Sequence, residues 1–81
     1  MNLYMCRYMF EEWICYVFAE TRDKAKGLFH DRQFGEFVDI RATYIGKSEI
    51  VKEPSVVDDE NHKNYPAVLA LCKGFDNEGY Q

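Results

Sequence analysis

The residues whose types could carry chemistry in this 81-residue chain are three cysteines, two histidines, an acidic run, and arginines set among aromatics. Cys6, Cys15 and Cys72 are odd in number and lack CxxC spacing, which argues against a disulfide framework or a zinc site. They fit a reducing compartment and read as small apolar core or edge residues. His30 stands beside Asp31. His62 follows Asp58-Asp59-Glu60-Asn61, a run with hard oxygen ligands but without the alternation and glycine of a calcium loop. It reads as a solvated acidic loop, so neither metal nor cofactor is expected. A Cys–His pair from Cys15 or Cys72 has no motif behind it. GxSxG, HExxH and glycine-rich phosphate loops are absent from the sequence, so no enzyme is expected.

Charge within apolar stretches is more informative. Arg7 stands amid Leu3, Met5 and Met9, and Asp39 and Arg41 are expected to share a strand face with Phe37 and Ile45. Asp39 is expected to pair with Arg7 or Arg41, or these residues face solvent at a sheet edge. The functional alternative is a ligand-gripping patch of Arg7, Trp13, Tyr16, Arg41 and Tyr44, suited to an anionic or nucleotide-like molecule. Charge is also unevenly placed. Residues 1–35 carry five acids and five bases, whereas residues 36–81 carry nine acids and five bases. Glu49, Glu53, Asp58, Asp59, Glu60, Asp76 and Glu78 are therefore the candidate contacts to a basic partner, and direct nucleic-acid binding is not expected.

The elements that must position these residues follow from periodicity. Residues 2–10 and 13–19 are aromatic and β-branched and flank Glu11-Glu12, which predicts a hairpin, although Glu-Glu is poor chemistry for a two-residue turn. A loop built around Phe10 to Trp13 keeps the same register, pairing Met9 with Ile14 and Arg7 with Tyr16. One face then carries Tyr4, Cys6, Tyr8, Phe10, Trp13, Cys15, Val17 and Ala19, and the other Leu3, Met5, Arg7, Met9, Ile14, Tyr16 and Phe18. Both are mainly apolar, which predicts a sheet covered on both sides.

Thr21 as N-cap, Asp23 in the first turn, and Ala25, Leu28 and Phe29 at helical spacing predict a helix over 21–34, with Phe34 near its end and Gly35 as its stop. Residues 36–46 return to period two, with Val38, Ile40, Ala42 and Tyr44 on one face. This third strand is expected beside the first, in strand order 2-1-3. Ser55 and Asp58 suggest a helical turn over 56–62. Pro66 opens a helix ending at Gly74, or the apolar run is a short buried strand.

The whole reads as one α+β domain over residues 1–74: a small antiparallel sheet with a ββαβ core, one main helix and a short helical C-terminal segment. Residues 75–81 read as a tail. The hydrophobic content of 47% excludes disorder. The N-terminal stretch is broken by Arg7, Glu11 and Glu12 and is not a signal peptide, and no apolar run reaches membrane-spanning length. A cytoplasmic location follows as the expectation. One helix cannot easily cover two apolar faces, so either the segment 56–74 folds back or a second copy covers the sheet, giving a homodimer.

The strand-to-helix passage YVFAETRDKAK and the strand FVDIRA resemble small, functionally unassigned proteins encoded by phages and prophages of Gram-positive bacteria. The resemblance covers roughly residues 1–45. It implies an inhibitor of a bacterial host defence, anti-CRISPR-like, acting in the host cytoplasm by occupying a basic nucleic-acid-binding groove. The alternatives are a protein that sequesters a small anionic ligand, or a non-catalytic interaction module.

Overall fold

A computed structural model describes residues 1–32 and 39–79, with side chains for 1–31 and 39–73. The elements run β1 (Asn2–Tyr8), β2 (Cys15–Ala19), α1 (Arg22–Arg32), β3 (Ile40–Lys47), β4 (Ser55–Val57) and α2 (Tyr65–Gly79). The fold is α+β. Its antiparallel sheet has the order β3-β1-β2-β4, so the expected 2-1-3 core is present with a fourth strand added beside β2.

The alternation read from the sequence places the side chains on both faces. Tyr4, Cys6, Tyr8, Cys15, Val17 and Ala19 pack with Ala25 and Phe29 of α1, and Leu28 packs partly against them. Leu3 and Phe18 form the second cluster with Ile45, Val51, Val57 and Val68. Thr21 caps α1 as expected, its Oγ1 accepting from Lys24 N at 3.2 Å. The second face is covered in part from within the chain, by α2. Val68, Leu71 and Cys72 point inward at helical spacing, and Leu69 and Ala70 point outward. Gly46 lets α2 approach, because a Cβ there would lie 3.2 Å from Leu71 Cδ2. A bulge between Leu3 and Tyr4 of β1 and their β3 partners turns both Ile45 and Gly46 toward this helix.

Four expectations are corrected. The hairpin register is displaced by two residues: Met5, not Arg7, pairs with Tyr16, and Cys6 pairs with Cys15. An even displacement leaves every side chain on its expected face. Met9–Ile14 becomes a connection, since Glu11-Glu12 supplies no tight turn and Trp13 is drawn onto Phe29. Residues 56–62 do not form a helical turn. Val56 and Val57 belong to opposite clusters, which only an extended segment allows, and Ser55 Oγ accepts from Asn64 Nδ2 instead of capping a helix. The last segment is a helix, not a strand, and it continues past Gly74 through Gly79, so residues 75–79 are not an extended tail. A glycine inside a helix costs only about 1 kcal/mol. Of the two expectations for the strand charges, an ion pair of Asp39 with Arg7 or Arg41 is not found among the described residues, and Arg41 instead faces solvent on the edge strand β3. The expected helix end at Phe34 and Gly35, and the strand start at 36–38, lie outside the described residues. Among the described residues, no helix is long and apolar enough to cross a membrane.

Candidate functional site

Antiparallel pairing brings four chain segments to one end of the sheet: the end of β1, the start of β2, the start of β3 and the end of β4. The Met9–Ile14 connection and the acidic run after Val57 therefore emerge side by side. Met9 N donates to Asp39 O at 2.8 Å, tying the connection to β3. On the β4 side, Ile14, Tyr16 and Tyr65 share a groove of about 310 Å³ with Asp58, Asp59 and Glu60. Glu11 and Glu12, both exposed, lie on the same connection. This end thus gathers carboxylates from two stretches that are far apart in sequence.

It also carries apolar surface. Phe10 is 85% exposed, and Met9 and Trp13 are nearly half exposed. Trp13 is held in place by stacking on Phe29, with ring centroids 6.2 Å apart and planes 25° from parallel. Phe29 in turn packs on Tyr8 at 5.2 Å. Beneath this stack Tyr8 Oη is buried with no hydrogen-bond partner among the described residues. Burial, and secondarily the negative charge of Glu11, raise the Tyr8 phenol above its ordinary value.

Within the acidic turn the side chains have separate tasks. Asp59 Oδ1 accepts from Asn61 N at 2.6 Å, and His62 Nδ1 accepts from Asn64 N at 3.0 Å. Asp59 and His62 thus shape the turn that leads into α2, whereas Glu60 is exposed beside it.

The acidic residues read from the sequence do not all converge. Asp58, Asp59 and Glu60 stand at the end just described. Glu49 and Glu53 lie in the segment between β3 and β4, and Glu53 borders a groove of about 330 Å³ with Lys52 and Lys63. Asp76 and Glu78 lie on the last turns of α2, and their side chains are outside the described residues. Sequence reading missed Met9, Phe10, Glu11 and Glu12 as members of the site. The available signal was an apolar-acidic string, Met9-Phe10-Glu11-Glu12-Trp13, that no tight turn could hide.

The arginine-and-aromatic set is divided between the two faces. Arg7, Tyr16 and Arg41 lie on the α2 face, with Arg7 directly opposite Arg41. Trp13 stacks on α1, and Tyr44 meets Tyr4 edge-on at 5.8 Å on the α1 face. The five residues therefore form no single cup.

Cys6 and Cys15 are opposite one another and buried, and Cys15 Sγ donates to Val57 O at 3.8 Å. Burial, then the nearby Cys15, push the Cys6 thiol up to about 12 against a weaker lowering by Lys26. Such a thiol stays protonated and unreactive. Among the described residues, no three His, Cys, Asp or Glu side chains are grouped so as to hold a metal ion. Compared with protein-family models, curated proteins and solved structures, the chain matches none.

Proposed function

We infer that this protein is a non-catalytic binding module that docks the acidic, aromatic end of its sheet into a basic, nucleic-acid-binding groove of a partner protein. The observation that carries this reading is Phe10, 85% exposed, on the same connection as Glu11-Glu12, at the end of the sheet where the Asp58–Glu60 turn also emerges. An exposed aromatic can anchor in an apolar pocket, and carboxylates around it compete for lysines and arginines that otherwise hold phosphates. The acids would speed encounter and set salt dependence, and Phe10 would supply residence time. The biological setting, inhibition of a defence protein in the bacterial cytoplasm, rests on the phage-type sequence resemblance.

The test is to titrate the protein into purified bacterial RNA-guided nucleases that hold fluorescently labelled target duplex. The expected result is release of duplex, more pronounced at low salt. Glu11→Lys/Glu12→Lys/Glu60→Lys should slow association at least about tenfold, and Phe10→Ala should speed dissociation by a similar factor. Asp59 is left intact because it holds the turn. Duplex that stays bound at every protein concentration, or release unaffected by both sets of substitutions, would overturn the reading.

A further inference from the structure

The α2 face of the sheet is only partly covered. Tyr65, at the start of α2, borders Tyr16 on β2, and Leu71 meets Gly46 near the far end of β3. The helix therefore crosses the face diagonally. The corner it leaves, where the end of β1 meets the start of β3, holds Arg7, Arg41 and Thr43. Arg7 and Arg41 are directly opposite in the ladder, and Thr43 is the next residue of β3 on that face, opposite Met5. Arg41 is exposed, and Arg7 and Thr43 are half-buried.

Two like charges directly opposed across strands are unfavourable. Such a pair is normally relieved by a carboxylate. Here, among the described residues, neither guanidinium has a hydrogen-bond or ion-pair partner, although Glu11, Glu12 and Asp39 all belong to the same end of the sheet. Opposed residues in a ladder place their Cβ atoms about 4.5–5.5 Å apart, close enough for two guanidinium forks to converge on one tetrahedral oxyanion. The Thr43 hydroxyl adds a neutral donor at the next rung.

We propose that Arg7, Arg41 and Thr43 form a binding site for the phosphate group of a small ligand. The proposal does not rest on the partner-binding reading above, although both sites lie at the same end of the sheet. Arginine suits it better than lysine, because the planar fork donates two parallel hydrogen bonds and stays charged at every physiological pH. Among the described residues this corner has no aromatic cup, so the phosphate, not a base, supplies most of the recognition.

The full chain, labelled with ¹⁵N, can be titrated with inorganic phosphate and adenosine 5′-monophosphate while the arginine Hε resonances are followed. Adenosine and sodium chloride at the same concentrations serve as controls. Both phosphate-bearing probes should shift Arg7 and Arg41 together and saturate, and adenosine should not. Equal affinity for the two would assign the site to free phosphate, and tighter binding of the nucleotide would assign it to a phosphate ester. Arg41→Gln should weaken binding at least about tenfold, Arg41→Lys less, and Thr43→Val by a few-fold. Arg41 is exposed, so its variants keep the fold, and unchanged amide spectra elsewhere verify this. Shifts no larger than those from chloride, or affinity unchanged in Arg41→Gln, would overturn the site.

Discussion

The two ends of the sheet are built on opposite terms. At the end that holds the start of β1 and the end of β3, backbone polar groups are closed off. The Met1 ammonium donates to Ser48 O and Val51 O at 3.1 and 2.8 Å, and Ser48 N donates to Met1 O. Ser48 Oγ accepts from the amides of Ile50 and Val51, and Asn2 Nδ2 donates to Glu20 O. Lys24 binds Glu20 at 2.9 Å, and that hydrogen bond holds the Glu20 carboxyl below its usual range. At the opposite end, among the described residues, the backbone hydrogen bonds that tie the connection are Met9 N to Asp39 O and Glu11 N to Tyr8 O. There Phe10 faces solvent, and Tyr8 Oη is buried without a partner among the described residues. One end holds several polar groups in hydrogen bonds, and the other exposes apolar surface and, among the described residues, leaves the Tyr8 hydroxyl unmet. Such local departures from good folding chemistry concentrate where a protein binds something.

The sharpest way to break this comparison is Phe29→Ala. Phe29 is fully buried and supports both Tyr8 and Trp13. Its loss should cost about 3–5 kcal/mol in urea unfolding and release the Met9–Ile14 connection, seen as a change in Trp13 fluorescence. A loss below about 1 kcal/mol would mean that the connection stands without α1.

A branched side chain at Gly46, on the opposite side of the comparison, meets Leu71 at once. Gly46→Val should cost about 1–3 kcal/mol by forcing α2 away from β3, while leaving Trp13 fluorescence unchanged. If fluorescence changes as well, the two ends are not independent.

Tyr8→Phe removes a buried hydroxyl that has no partner among the described residues, and should be neutral or stabilising by up to about 1 kcal/mol. It should also change the alkaline limb. Tyr8 has a folded pKa above its ordinary 10.0, so its contribution is complete below that value and is lost as pH rises through the folded pKa. Cys6 acts in the same direction, from 9.0 to about 12. Chemical denaturation between pH 8 and 11 should therefore show stability falling more steeply in the wild type than in Tyr8→Phe or Cys6→Ala. Parallel curves would contradict the burial of both groups.

Phe10→Ala should have the smallest effect on stability, under about 0.5 kcal/mol in thermal denaturation, because the ring is exposed. A larger loss would make Phe10 a structural residue and remove it from the binding surface.

What the sequence determined by itself is local and periodic. Period-two alternation in residues 2–8, 15–19 and 40–45 assigned each side chain to its face, and Thr21, Asp23, Ala25 and Phe29 marked α1 from its cap to its buried side. These signals are written within a few residues, so they survive an error of two in the hairpin register. The tertiary structure alone decided what depends on distant partners. β4 is three residues long and is a strand only because Val17 and Tyr16 offer it an edge. The placement of Glu11-Glu12 and Asp58–Glu60 at one end of the sheet, and the separation of Trp13 and Tyr44 from Arg7 and Arg41, follow from strand order and from the face to which each side chain turns. Contacts between residues so far apart in the chain are chosen by which buried surfaces fit together, and no short stretch of sequence encodes that choice.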